Sequence, residues 1–461
     1  MDYFVITNDG YGLPIAERLQ NEGANVTVGQ VPEQPMTLLE SEGEGAYETE
    51  ESRRRRLFLY EGILLKRPAE EVIDEVKKRK AKDDFVFFDL NHHFRYAERL
   101  GDAATGNPPK ESDLQLEIER DLANEFVREH YPKLKVAPYE TFEHVKDAKR
   151  FLRGAQGRWV LKGRAEDSST VVPSSPVAEL AEGEVVAALK ERREEYETAG
   201  FLLEKLIQDP IEITPQRIYF DGKLVATFVC IENKPFGAGN IGPMTDCAGD
   251  MIFRIPDDAP INEIAFPPIV DKLARGHRGM FTWDGSILFD PKDGTPYFGE
   301  FCANRVGYNS FYTELTLCGG PKRYFEMVRR GENPYPQDRV ATSVTLFNSL
   351  RDPCGLPKEG IPVHCTDDAR KTLWLQDVAS GPSGLQTAGF AHSIGVATGT
   401  ARSVEEAADI AYAQLDYIAV ESSVHRPKFD YLSREYPTSI LNRLHKALEW
   451  NLFTVGFEVP A

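Results

Sequence analysis

Along the first hundred residues the apolar positions switch between strand and helix periods. Residues 3–7 are a short apolar run of strand length, followed by a polar turn with two glycines over 8–12. A helical period over 13–22 and a β-branched run at 25–28 come next, which is the opening of a βαβ unit. Parallel sheets of this kind bind ligands beyond the carboxyl ends of their strands. A lysine-rich helix is expected over 72–81, a buried strand over 84–89, and a linker over the Gly- and Pro-bearing stretch 101–110.

The pattern then predicts one helix over 112–130, and helices and strands of a small lobe over 151–162, 185–198 and 201–206. Strand alternation resumes at 217–220, turns at Asp221-Gly222 and continues over 224–231, which is a hairpin signal. Two further strand runs, 279–284 and 287–290, lead through a Pro-Lys-Asp-Gly turn into the strand of Glu300 and set that residue beside its predecessor. A Pro- and Gly-rich stretch over 321–362 is expected to connect to a last unit. There Ser403-Val404-Glu405-Glu406 is a capping box opening a helix to about residue 417. No internal repeat is present.

Composition narrows the function classes. A chain of 461 residues should divide into two to four units, and 41% hydrophobic with 28% charged residues suits a buried core and a soluble surface. Apolar runs such as Phe85-Val86-Phe87-Phe88 are too short to span a bilayer, and the start lacks the basic region of a secretory signal. Six cysteines without CxxC spacing indicate neither zinc nor a disulfide framework, so free thiols in a reducing cytoplasm are expected. The formal net charge of −19 argues against a broad nucleic-acid footprint, and the basic run at 53–56 is balanced by the acidic tract just before it.

Four segments carry candidate chemistry. The strand Trp159-Val160-Leu161-Lys162 ends in a lysine suited to phosphate oxygens, followed by a hydroxyl-rich loop. The run to Glu204, Lys205 and Leu206 can offer backbone groups to an adenine edge, with Glu212 either a ribose ligand or an ordinary surface glutamate. A loop over 232–246, closed by Gly249, can bring its backbone close to a ligand. Finally, Glu300 with Asn304 supplies hard oxygen ligands of the kind Mg²⁺ uses, and Arg305 suits a phosphoryl group or a carboxylate. The alternative for this last segment is an edge strand ending in a solvated turn.

Taken in order, these segments resemble the ATP-grasp superfamily and, within it, the glycinamide ribonucleotide synthetase (phosphoribosylamine–glycine ligase) family. That family's loop D-H-K-x-x-G-D-x-D-x-G-P-N-T-G-G-M-G is matched at Asn233-Lys234, Gly237, Gly239, Gly242-Pro243, Thr245 and Gly249. Its E-F-N-x-R-x-G is matched at Glu300-Phe301, Arg305 and Gly307, and Arg120 stands at the lysine of L-E-G-S-K. Ile394-Gly395-Val396-Ala397-Thr398-Gly399, Glu405-Glu406-Ala407 and Ala411-Tyr412 resemble its C-terminal domain.

The resemblance implies a multi-domain α/β chain with an ATP-grasp fold. Its parts would be an N-terminal βαβ domain over 1–105, an ATP-grasp domain over 106–340 with a lid lobe at about 136–205, and a C-terminal α/β domain over 341–461. It implies ATP with Mg²⁺ (or Mn²⁺) and a ligation of a small carboxylate, glycine or another amino acid, to an amine through an acyl phosphate. A cytoplasmic monomer or homodimer acting in purine biosynthesis would follow. Lys162 and Arg120 would hold phosphates, Glu204, Lys205 and Leu206 the adenine, and Glu212 the ribose. Glu300 would hold the metal, and Arg305 would act with Lys162 in catalysis. Asn8, Gly10, Lys234, Gly242, Pro243, Thr245 and Asp246 would face the substrates.

Departures from the family sharpen this. The first loop, Asn8 to Ala16, lacks the family's Arg-Glu-His, and its G-P-E is replaced by Asp89-Leu90-Asn91-His92-His93-Phe94. Both changes fall where the sugar-phosphate amine should bind, so a different acceptor is expected, with His92 and His93 either contacting it or structural. The lid loop has lost its glycines. Cys302 replaces the metal asparagine, and by strand alternation Asn304 faces the same side as Glu300, so Asn304 or Asp290 is expected to complete the metal site. Two readings remain open, a divergent ligase and a catalytically impaired relative acting as a nucleotide-binding regulator or scaffold.

Overall fold

The structure, a computed structural model, describes residues 1–32, 49–164, 170–242, 244–304, 306–353, 355–436 and 439–460. Pro243, Arg305, residues 165–169 of the hydroxyl-rich loop and most of the acidic tract lie outside the described residues.

The N-terminal sheet is parallel, in the order Lys66–Pro68, Val26–Gln30, Tyr3–Thr7, Phe85–Phe88, Thr105–Gly106. Tyr3–Thr7 and Phe85–Phe88 are buried throughout, because both faces of a parallel sheet are covered. Phe4, Ile6, Val86 and Phe88 pack with Val72, Ile73 and Val76 of the helix Ala69–Arg79, while Tyr3, Val5, Phe85 and Phe87 join the main core. The expected linker over 101–110 supplies the fifth strand instead. There a side chain at Gly106 would start 1.9 Å from the Val86 carbonyl oxygen, which only glycine avoids.

A nine-stranded antiparallel sheet forms the centre, running from Pro296–Ala303 through Met280–Phe289, Ile211–Phe220, Lys223–Pro235, Met244–Arg254, Val340–Asn348 and Ser393–Ala401 to Trp374–Leu375, with Ser423–Val424 as the ninth strand, paired to the end of Val340–Asn348. Val340–Asn348 is buried at every position and pairs with Met251–Phe253 on one side and Ser393–Ala401 on the other. The stretch over 321–362 is therefore no connector, since it holds the helix Pro321–Arg329 and this central strand. The sheet runs unbroken across residue 340, the expected domain boundary. At the Asp221-Gly222 hairpin both residues are left-handed, with φ of 47° and 73°, as a two-residue turn of primed type requires.

The small lobe is a three-stranded sheet with Phe201–Lys205 between Tyr139–Phe142 and Trp159–Gly163. Val185, Leu189 and Tyr196 of its helices cover Leu161, Phe201 and Leu203, giving the lobe a core of its own. A second small sheet joins Val378–Gly381, Gly384–Thr387, Pro362–Cys365 and Ile418–Val420.

Two expectations change locally. The single helix over 112–130 is two, Glu111–Ile118 and Arg120–His130, broken at Glu119 (φ −84°, ψ 80°). The loop over 232–246 is largely strand, with Lys223–Pro235 and Met244–Arg254 leaving only the tip irregular. Among the described residues no helix is long and apolar enough to cross a membrane.

Candidate active site

Both faces of the central sheet carry apolar core, and one of them turns polar towards the strand ends at Glu232, Lys234, Asp284, Ser286, Glu300 and Cys302. Phe281, Trp283, Phe301 and Ala303 enter the core, and Asp284, Ser286, Glu300 and Cys302 face a cavity of about 1060 Å³. Cross-strand register sets Glu300 opposite Ser286, and Cys302 opposite Asp284, whose other neighbour is Gln216. With Glu232 and Lys234 these side chains form the cavity floor.

Charge on this floor is dominated by Glu300. Its carboxylate accepts from Lys234 Nζ at 2.5 Å and from Arg120 Nη1 at 3.3 Å. The break at Glu119 puts Arg120 at the start of a new helix, beside the floor. Lys234, followed by Arg120, holds the Glu300 carboxyl far below the usual carboxylate range against the desolvation of its partly buried position. Burial works against the Lys234 ammonium, but Glu300, Glu212 and Glu232 outweigh it and hold its pKa above the ordinary value. Glu212 lies 3.7 Å from Lys234 Nζ and accepts from Ser286 Oγ at 2.6 Å.

Nearby carboxyls are pushed the other way. Burial, opposed by Lys234 and reinforced by Glu212 and Glu300, lifts Glu232 to about 7. Asp284 is raised well above its ordinary value by burial, against the Tyr308 hydroxyl that donates to it at 3.1 Å, with Glu117, Glu232 and Glu300 adding to the rise. The floor thus holds more carboxyl groups than Lys234 and Arg120 neutralise, a setting that favours an added cation.

From the small lobe, Lys162 Nζ reaches Glu204 at 2.8 Å and the Gly299 carbonyl of the central sheet at 3.4 Å. Lys205 turns away, over the Trp159 ring at 5.3 Å, and the Leu206 amide donates to the Arg158 carbonyl at 3.0 Å. Of the residues expected to face substrates, Gly10, Lys234, Thr245 and Asp246 line the cavity. Tyr11 joins the N-terminal turn to the hairpin by donating to Asp246 at 2.5 Å, and Thr245 donates to the Lys234 carbonyl at 2.6 Å. Asn8 is buried and accepts from Arg56 at 2.8 Å, and Gly242 lies at the exposed hairpin tip. His93 packs inside, 3.0 Å from Asp89, which also accepts from the Gly12 amide at 2.9 Å, and His92 is likewise buried.

The residues expected to complete a metal site are placed elsewhere. The strand ends at Ala303, and Asn304 turns into a left-handed conformation (φ 52°), so alternation no longer applies to it. It is fully buried, with its amide 3.5 Å from the Asn107 carbonyl. Asp290 sits in the hairpin turn and accepts from the Lys292 amide at 2.9 Å. Neither lines the cavity, whereas Asp284 and Glu232 do. A polar residue inside the apolar run 280–289 was the available signal for Asp284. Among the described residues no three His, Cys, Asp or Glu side chains converge as a self-sufficient metal site. Nucleotide-borne Mg²⁺ needs only one or two carboxylates, which Glu300 and Asp284 can supply.

No family model matches the chain, and no curated protein matches it in sequence. Solved structures do match. Phosphoribosylamine–glycine ligase of Thermotoga maritima superposes with a TM-score of 0.62 at 16% identity, over 92% of this chain and 99% of that one. The biotin carboxylase domain of Hydrogenobacter thermophilus 2-oxoglutarate carboxylase, solved with MgADP and bicarbonate, gives 0.55 at 15% identity, over 99% and 96%. L-amino acid ligase of Bacillus licheniformis gives 0.51 at 15% identity, over 91% and 98%. Likeness at such identity is likeness of fold. The chain has the ATP-grasp fold along nearly its whole length, in a sequence that has diverged from these enzymes.

Proposed function

We propose that the protein is an ATP-dependent carboxylate–amine ligase acting through an acyl phosphate, with an amine acceptor other than phosphoribosylamine. One observation carries this reading. Three cations from separate elements, Lys162, Arg120 and Lys234, converge on the adjacent residues Gly299 and Glu300. Cations so placed can leave Glu300 and Glu204 for the oxygens of a triphosphate, where they stabilise charge on the transferring phosphoryl group.

In this reading the γ-phosphoryl group passes to the donor carboxylate, and the amine then displaces phosphate from the acyl carbon. Bound Mg²⁺ or Mn²⁺, held by Glu300 and Asp284, would neutralise phosphate charge. Glu204, Lys205 and Leu206 lie on the lid strand and its exit, where an adenine would lie, and Glu212 would serve the ribose. The lid lobe, tied to the central sheet through Lys162, excludes water from the acyl phosphate. Arg305 would act on the carboxylate or the phosphoryl group. The T. maritima and B. licheniformis neighbours are named for ligations of glycine and of amino acids, which supports an amino acid as one substrate. The altered first loop brings Asp9 and Tyr11 to the cavity, which disfavours a sugar phosphate.

The second reading, a catalytically impaired nucleotide-binding regulator, is favoured by Cys302 at the position of the family's metal amide. Phosphate release from MgATP, screened over single amino acids with and without amines, separates the two. Turnover that needs both a carboxylate and an amine supports the ligase, and ATP binding without turnover supports the regulator.

A further inference from the structure

Away from Glu300 the cavity has a second end with different chemistry. Its wall is built by Phe236, Phe347 and Phe390, and the first two rings lie 5.2 Å apart, inclined at 55°. The reading above gives Arg120 and Lys234, now on Glu300, to the triphosphate, so Arg351 is the lining cation, among the described residues, that remains for a second ligand. Arg351 Nη1 donates to the carbonyls of Asn348 at 3.0 Å and Leu350 at 3.2 Å, which orients the guanidinium while leaving Nε and Nη2 without a partner among the described residues. No carboxylate of the described residues pairs with it.

This end is also held in place. Asp377 is fully buried and accepts from the amides of Gly389 at 3.0 Å, Phe390 at 2.9 Å and Ala391 at 3.1 Å, fixing the loop that presents Phe390. Asp246, bonded to Tyr11, lines the cavity, its charge acts on His392 of this end, and its neighbour Thr245 donates to the Lys234 carbonyl. Burial, with Arg351 nearby, lowers the pKa of His392 beneath its ordinary value, so its imidazole adds no cation at neutral pH.

Resting on the ligase reading above, we propose that this end binds the amine acceptor and that the acceptor is an aromatic amino carboxylate. Its ring lies against Phe236, Phe347 and Phe390, its carboxylate on Arg351, and its amino group toward Asp246 and the Glu300 cluster. One guanidinium matches a carboxylate in paired fashion. A phosphate dianion would meet a single cation together with the carboxylates of Asp9 and Asp246. Three phenylalanines give an aromatic ring offset and edge contacts and a dry surface to cover. In the ligation the nitrogen bonds to the acyl carbon as the carbon–oxygen bond to phosphate breaks. Phosphate leaves with the electron pair, and the ammonium gives up two protons, one to phosphate and one to solvent.

Calorimetric titration of the full chain tests this with L-phenylalanine, phenethylamine (no carboxylate), L-alanine (no ring) and ribose 5-phosphate. L-phenylalanine is expected to bind more tightly than the other three. Arg351→Met should weaken it about tenfold to a hundredfold while leaving phenethylamine unchanged. Phe390→Ala should weaken both, with circular dichroism showing each variant folded. Preferred binding of ribose 5-phosphate, no binding of L-phenylalanine, or equal effects of Arg351→Met on both amines would overturn the proposal. Amine-dependent phosphate release with L-phenylalanine unbound removes this inference and leaves the ligase. L-phenylalanine bound through Arg351, with no turnover of ATP by any acid, supports the subsite and removes the ligase.

Discussion

Lys234 Nζ lies 2.5 Å from Glu300 Oε1 at the middle of the cavity floor, and the pair is the hinge of the electrostatics around it. Glu300 is the carboxylate proposed to hold the metal ion, yet Lys234 and Arg120 already neutralise it. A bound metal–nucleotide would therefore exchange partners with the protein, carboxylate to metal and cations to phosphate. Such an exchange couples metal binding to nucleotide binding, so neither should bind tightly alone.

Glu300→Gln should keep the fold, since the Glu300 side chain is about a third exposed (33%). ATP-dependent phosphate release should fall by about a hundredfold or more. Steady-state phosphate assays with a melting curve of each protein check this, and undiminished turnover would remove Glu300 from the mechanism.

Asp284→Asn should raise the Mg²⁺ concentration giving half-maximal activity about tenfold. Asp290→Asn should leave it unchanged, because Asp290 only caps the hairpin turn at the Lys292 amide. A Mg²⁺ titration of both variants distinguishes the cavity residue from the turn residue.

Lys162→Met should raise KM for ATP about tenfold or more, because Lys162 reaches from the small lobe to the floor strand at Gly299. It also strands Glu204, which is 6% exposed. Glu204→Gln in the same chain removes that stranded charge, so a KM that stays high in the double variant ties the effect to phosphate contact.

Stability should fall as pH rises from acid to neutral. Burial lifts Glu314 to about 7, although Tyr324 at 2.8 Å and Tyr335 donate to it. A carboxyl raised in the folded state binds its proton more tightly than in the unfolded chain. Folded protein therefore loses stability between the ordinary carboxylate value and about 7, by roughly 3 kcal/mol for this group. Glu314→Gln keeps an oxygen for both tyrosines and should flatten that slope in urea melts at pH 5 and pH 7.5. An unchanged slope would show that Glu314 ionises normally.

What the sequence displayed and what it hid have physical reasons. Tyr3–Thr7 and Phe85–Phe88 were legible because fully buried parallel strands are continuous apolar runs. That Glu300 lies beside the preceding strand followed from one turn signal in a local hairpin, while the register that puts it opposite Ser286 did not. Asn304 was misplaced because alternation holds only while a strand lasts, and this one stops at Ala303. The break at Glu119 leaves the helical period intact, so nothing in the pattern marked it. The sheet across residue 340 depends on Val340–Thr342 pairing with Met251–Phe253, a long-range match that local pattern does not encode. Asp284 required knowing its partner strands, which put it opposite Cys302 and Gln216.

The most direct test of an acyl phosphate is oxygen transfer from the donor acid. Full-length protein, MgATP, an amine and an amino acid labelled with ¹⁸O in its carboxylate are incubated, and the released phosphate is read by mass spectrometry. One labelled oxygen in each phosphate is the expected result, because the carboxylate oxygen leaves with the phosphoryl group. Phosphate released without label would contradict transfer to a carboxylate and remove the central claim.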